Sequence, residues 1–312
     1  MEKRIITLLE DCNKIFLGKE RVIKLSLAAI LAKGHILLED IPGVGKTTLV
    51  NLLAKFLGLP LNRIQLTSDL LPADILGNLI FNSETGKFEV YKGPIFSNLI
   101  LADELNRATP KTQSAFLQAM EDGTVSIDKD IFELPKPFMI FATQNPKEQI
   151  GTFPLPESQL DRFLMKISIG HPDEASERLL LSGEKRKDLM KNLSAHFTKE
   201  EVLQMQNVVK EIFVSEAIIS YVQRILQKSR SPEIQKAEYH TTIYGLSPRA
   251  GISIIDAAKG WAYIHGRKHL LPDDVQAIVS EVIIHRMIPE HGALASHAKT
   301  FVKNMIESIP VD

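Results

Sequence analysis

The nine residues Asp40-Ile41-Pro42-Gly43-Val44-Gly45-Lys46-Thr47-Thr48 constrain this chain more than any other stretch. They follow a short apolar run, His35–Glu39, and open a helical pattern, Lys46–Leu57. A strand that turns tightly into a helix aims successive backbone N–H groups and the helix N-terminus at one point, which suits a phosphate. Gly43 and Gly45 let the backbone approach phosphate oxygens, with Val44 between them and Thr48 closing the segment. Lys46 is placed to reach β- and γ-phosphates, and the Thr47 hydroxyl to sit on magnesium. The usual first glycine of G-x-x-x-x-G-K-[ST] is Asp40 here, which predicts extra negative charge at the loop mouth.

Further apolar runs at Arg63–Leu66, Leu99–Ala102, Phe138–Thr143 and Leu164–Ile169 alternate with helical patterns such as Pro110–Met120. That alternation predicts a parallel sheet with crossover helices. Two stretches read as hairpins instead: Leu79–Tyr91 around Thr85-Gly86, and Val125–Leu134 around Asp128-Lys129-Asp130. After His171-Pro172 the strand signal stops. Thr198 and Glu201 form a capping box, Ser247-Pro248 is an N-cap followed by proline, and Leu271-Pro272-Asp273-Asp274 opens another helix. The expected organisation is an α/β unit over 1–171 and a helical unit over 172–312.

The run Leu99–Ala102 ends in Asp103-Glu104. A buried strand would deliver Asp103 beside the phosphate loop to hold magnesium, and Glu104 to polarise an attacking water as general base. Asn145 ends another apolar run, where it either contacts the γ-phosphate or the water, or simply terminates a strand before Pro146. Arg162 opens the last strand, on the far side of such a sheet from the phosphate loop. In a ring it could serve a neighbour's γ-phosphate as an arginine finger. Arg249 lies in a helix's first turn, where a cation opposes the helix dipole, so an anion outside the helix is its expected partner. Arg107 is a candidate for inter-subunit contact or helix capping.

Thirty-seven basic and 38 acidic side chains leave a formal charge of −1, so no global field draws the chain to nucleic acid or anionic lipid. Lys185-Arg186-Lys187 reads as a solvated helix face. The single cysteine, Cys12, can form neither an internal disulfide nor a thiolate zinc site. With histidines scattered, His285 and His291 among them, the expected metal is oxygen-bound magnesium and not zinc. The N-terminus shows no signal-peptide core, and Leu25–Ala32 falls far short of the roughly 20 residues of a membrane span. A cytoplasmic protein is expected.

Taken together, these segments resemble the AAA+ ATPases, and within them the MoxR family. The resemblance is carried by Leu38–Thr47, by Leu101-Ala102-Asp103-Glu104-Leu105-Asn106-Arg107-Ala108 and by Ala142-Thr143-Gln144-Asn145-Pro146. Gly151-Thr152-Phe153-Pro154-Leu155-Pro156-Glu157, Leu160-Asp161-Arg162-Phe163 and Ser247-Pro248-Arg249-Ala250 complete it. It implies a P-loop domain with a five-stranded parallel αβα core, followed by an all-α lid. By that likeness Lys46 and Thr47 are Walker A residues, Asp103 and Glu104 the Walker B pair, and Asn145 sensor 1. Arg162 is then the arginine finger and Arg249 sensor 2, while Leu17-Gly18 resembles the segment lining an adenine pocket. The implied protein is a magnesium-dependent ATPase that forms hexameric rings and remodels a protein partner, often one with a von Willebrand factor A domain. The hairpins resemble the helix-2 insert and pre-sensor-1 hairpin that face the ring channel, or else are decorative sheet edges. Two rivals stand beside this reading: a DNA-acting AAA+ ATPase, and a nucleotide-gated scaffold with little turnover.

Overall fold

Runs that are apolar without alternation, such as Leu99–Ala102, belong to strands buried on both faces. In the computed structural model they form one parallel sheet. It describes residues 2–145, 151–182, 193–231, 245–287 and 298–311. Pro146, Lys185-Arg186-Lys187 and His291 lie outside the described residues.

Helices α1 (Glu2–Ile15) and α2 (Glu20–Leu31) precede β1 (Ile36–Glu39), α3 (Lys46–Phe56) and β2 (Leu61–Gln65). A short α4 (Pro72–Leu76) leads into the hairpin β3 (Gly77–Asn82) and β4 (Lys87–Lys92). Then come β5 (Leu99–Asp103), α5 (Pro110–Asp122), a second hairpin of β6 (Thr124–Ile127) and β7 (Asp130–Glu133), and β8 (Met139–Gln144). A single turn, α6 (Glu157–Leu160), precedes β9 (Met165–Ile167). The described elements that follow are all helices: α7 (Glu174–Leu181), α8 (Lys199–Lys210), α9 (Glu216–Ser229), α10 (Pro248–Ile264), α11 (Pro272–Met287) and α12 (Ala298–Glu307).

The sheet has five strands in the order β2-β5-β8-β1-β9, all parallel. Alternate residues serve opposite layers. Ile36, Leu38, Leu99, Leu101, Met139 and Phe141 pack on the side of α1, α2, α3 and the C-terminal helices. Leu37, Ile100, Ala102, Ile140 and Ala142 pack on the side of α5 and the second hairpin. The five-stranded αβα core and the helical lid expected from the sequence are therefore present. The change of periodicity near residue 172 is nevertheless not a gap in packing. Ile254, Ala258, Val279 and Val282 of the lid share one apolar core with Leu8, Ile23 and Leu27. A Cβ added to Gly260 would lie 2.2 Å from the Ala28 carbonyl oxygen, so α10 presses its bare backbone onto α2.

His35, just before β1, is fully used as a neutral ring. Its Nε2 donates to the Met120 carbonyl at 3.1 Å, and its Nδ1 accepts the Ile140 N–H at 3.0 Å. Burial pushes its pKa down to about 4, against the smaller upward pull of the Met120 carbonyl. Burial likewise holds His285 well below its ordinary value, aided by the Arg286 charge. Both rings favour the neutral form in the fold, so the unfolded chain binds more protons below its own histidine pKa. Stability should be full above about pH 6.5 and fall as pH drops toward 4, by about 1.4 kcal/mol per pH unit for His35, with His285 acting in the same direction. Thermal unfolding across that range tests this, and His35→Gln should flatten part of the slope.

Candidate nucleotide-binding site

The phosphate loop lies at the C-terminal edge of the sheet, leaving β1 and entering α3. Gly43 and Gly45 have φ of +87° and +98°, backbone that side-chain-bearing residues rarely adopt. A Cβ on Gly45 would strike the Phe16 ring at 2.8 Å, whereas Gly43 faces open space. The loop is thus backed by Phe16 on one side and open on the other. Lys46 Nζ donates to the Asp40 carbonyl at 2.6 Å. Burial lowers the Lys46 pKa, opposed by the carboxylates of Asp40, Asp103, Glu104 and Glu39. The Asp40 charge is not spent at the loop mouth. Its Oδ2 accepts the Gly170 N–H at 2.6 Å and the Ser168 hydroxyl at 3.0 Å, and its Oδ1 accepts the Ile41 N–H at 2.9 Å. Burial opposes ionisation, but these donors outweigh it and hold the carboxyl below its ordinary range. Asp40 thereby ties the phosphate loop to the end of β9.

Asp103 and Glu104 end β5 beside this loop. Asp103 is buried, with Oδ1 accepting the Thr143 hydroxyl at 2.8 Å and Oδ2 accepting Arg63 Nε at 2.9 Å. The Thr143 hydroxyl oxygen also receives the Glu104 N–H, at 2.9 Å. Glu104 has φ of +59°, a left-handed backbone that costs a non-glycine residue of order 1–3 kcal/mol and is commonest at functional sites. Its Oε2 accepts from Gln65 at 3.1 Å and from Arg107 at 3.0 Å. Arg107, read as a contact or capping residue, therefore pairs with the candidate base. Asn145 directly follows β8, which lies between β5 and β1, and so stands between the carboxylates and the phosphate loop.

Arg63, Gln65 and Thr143 hold the carboxylates and escaped the sequence reading. The signal was there in part: Arg63 and Gln65 alternate on β2, so both face one side of an edge strand pairing with β5.

Leu17-Gly18, between α1 and α2, follows the Phe16 that covers Gly45. Gly18 has φ of +66°, and a Cβ there would lie 2.6 Å from Asp173 Oδ2 and 2.7 Å from Ser176 Oγ. Lys19 Nζ reaches the His171 carbonyl at 2.5 Å. This segment and the start of α7 therefore pack against each other, next in the chain to the Phe16 that backs the loop. Open space at Gly43, the loop glycines and the lysine–carboxylate set fit a nucleotide and an oxygen-bound divalent cation.

Arg162 and Arg249 are not brought to this edge. Ile36 pairs with Met165, so Arg162 stands before the N-terminal ends of the strands, while the phosphate loop follows their C-terminal ends. Both arginines meet Glu121 in the last turn of α5. Arg162 Nη2 lies 2.7 Å from Glu121 Oε2, and Arg249 Nη2 lies 3.1 Å from Oε1. The anion expected opposite Arg249 is thus a carboxylate within the chain.

Residues 35–165 match the ATPase family associated with various cellular activities (AAA), and residues 235–304 match the AAA lid domain. Chaperone MoxR1 of Mycobacterium tuberculosis is 38% identical, over 91% of this chain and 76% of its own. The chain belongs to the MoxR family of AAA+ ATPases. A second relative, the uncharacterized protein YeaC of Bacillus subtilis, is 42% identical over 97% of this chain and 93% of its own. A crystal structure of a protein assigned as an ATPase from Cytophaga hutchinsonii superposes with a TM-score of 0.88 at 36% identity, covering 99% of this chain and 95% of that one. As a MoxR-family member the protein is a nucleotide-binding enzyme that hydrolyses ATP.

Proposed function

We propose that this ATPase works as a hexameric ring in the cytoplasm, coupling magnesium-dependent hydrolysis to chaperone-like remodelling or activation of a protein partner, one carrying a von Willebrand factor A domain among the candidates. Residues 1–171 form the nucleotide-binding unit and 172–312 the lid. Gly43, Val44, Gly45, Lys46, Thr47 and Thr48 bind the phosphates, and Leu17 and Gly18 border the base. Thr47 and Asp103 hold magnesium, which neutralises phosphate charge when bound. Glu104 takes the proton of the attacking water, Asn145 orients that water or the γ-phosphate, and Arg162 and Arg249 serve the site of the next subunit.

One observation supports this reading above others: the basic and acidic groups for phosphate chemistry meet at one edge of the sheet, while the two arginines meet at the other. A single protomer would therefore hold two half-sites, and only a closed assembly of repeated subunits completes them all. The chaperone role is further supported by the name of the mycobacterial relative. Exposed apolar side chains on the hairpins suit contact with a client: Phe81 and Phe88 stack edge-to-face at 5.3 Å, and Ile131 is 72% exposed. Among the described residues no helix is long and apolar enough to cross a membrane.

Phosphate release measured over a dilution series tests the reading. Specific activity should rise with protein concentration in step with hexamers seen by native mass spectrometry, and should vanish in excess EDTA. Constant specific activity in samples that remain monomeric would overturn it.

A further inference from the structure

Glu121 and Arg249 each stand at the wrong end of a helix for their charge. Glu121 lies in the last turn of α5, just before Gly123 ends it with φ of +64°. Arg249 lies in the first turn of α10. Each charge opposes its own helix dipole, yet each answers the other across the tertiary structure. Glu121 also takes Arg162, so one carboxylate holds two guanidiniums, one on each oxygen.

The surroundings fix what Glu121 gathers. Arg286 of α11 is deeply buried and grips the turn that carries Arg162. Its Nε donates to Asp161 Oδ1 at 2.6 Å, and its Nη2 to the carbonyls of Asp161 at 3.0 Å and Phe163 at 2.8 Å. His285 Nε2 meets the same Phe163 carbonyl at 3.0 Å. The backbone beneath Arg162 is therefore pinned by the lid, while the Arg162 and Arg249 side chains stay part-exposed, at 27% and 48%. Asp161 is engaged by Arg286, so it is not free to take Arg162 or Arg249, and the Arg286 and Arg249 charges repel each other. Without an anion between them these guanidiniums would separate.

We propose that Glu121 is a positioning residue: it gathers Arg162 and Arg249 into one two-pronged cationic group that a neighbouring subunit's nucleotide receives already assembled. This rests on the reading of both arginines as acting on the next subunit. Preformed cationic donors act in the transition state without the cost of being collected at that moment. The group served is the γ-phosphoryl of a nucleoside triphosphate, whose oxygens take the arginine N–H groups not engaged by Glu121.

Glu121→Gln keeps the shape of the side chain and removes its charge. We expect kcat for ATP to fall about tenfold, KM to stay within about twofold, and hexamers to persist in native mass spectrometry. The sharper readout is location. Mixed rings of Glu121→Gln with Lys46→Ala should regain activity, because the Lys46→Ala subunit supplies a correctly held arginine pair to the intact phosphate loop of its neighbour. Arg162→Ala mixed with Lys46→Ala runs in parallel. If that pair recovers and the Glu121→Gln pair does not, Glu121 acts within its own subunit and the proposal fails while the arginine reading stands. If neither recovers, the arginine reading fails, and the proposal with it. A rise in kcat for Glu121→Gln would overturn the positioning role, making the carboxylate a restraint on the arginines. Loss of hexamers would also overturn it, by making Glu121 an assembly residue.

Discussion

Arg162→Ala is expected to bind ATP nearly as well as the unaltered chain and to hydrolyse it on the order of 10³–10⁵-fold more slowly. The size of the effect follows from where the charge acts. A part-exposed surface ion pair such as Arg162–Glu121 contributes about 0–1 kcal/mol to stability, so removing it should leave the fold intact. A guanidinium meeting the charge that develops on a transferring phosphoryl group is worth several times more, and only during reaction. Because Arg162 stands at the sheet edge opposite the phosphate loop, its loss should spare nucleotide binding in its own subunit. Isothermal titration alongside phosphate release separates the two quantities. Equal losses of binding and turnover would place Arg162 in the ground-state pocket, and full turnover would remove it from the chemistry.

Glu104→Gln should retain ATP and stop hydrolysing it, with a loss of about 10²–10⁴-fold for a missing general base. Glutamine preserves the length of the side chain and can still meet Gln65, so the left-handed turn at residue 104 should persist. The amide cannot take a proton from water. Lys46→Ala provides the contrast: on the proposed reading Lys46 contacts phosphate before reaction begins, so its loss should abolish binding altogether. Titration of each variant with ATP, followed by single-turnover phosphate release, gives the comparison. Normal turnover in Glu104→Gln would remove Glu104 as the base. The same variant, if it holds ATP, also provides a long-lived state in which a client can be captured and identified by mass spectrometry.

The sheet was legible in the sequence because its strands are buried on both faces and so read as unbroken apolar runs. The phosphate loop was legible because its glycines, lysine and threonine are adjacent in the chain. By contrast the segment that forms α2 was read only as an apolar run, Leu25–Ala32, too short to span a membrane. Val22, Ile23, Leu25, Leu27 and Ala28–Leu31 are all buried, so its apolar surface runs almost all the way round. The Asp40 charge was misplaced for a different reason: its partners, Ser168 and Gly170, come from the far end of the last strand and meet it only when β9 pairs with β1. Arg249 was recognised as a cation in need of an anion, but Glu121 could not be named. That contact depends on how α10 lies over the end of α5, and no local pattern encodes it.

The buried grip of Arg286 on the turn before β9 bears on how such a protein can be inherited in parts. The turn carrying Arg162 is shaped by hydrogen bonds to a residue of α11, more than a hundred positions later in the chain. A recombination event that exchanged the helical portion between relatives would preserve the phosphate loop untouched. It would still inherit a misfitted turn at Arg162 unless the incoming helix brought its own arginine and the incoming α10 its own glycine against Ala28. The two portions are therefore bound to diverge together, as a single heritable unit.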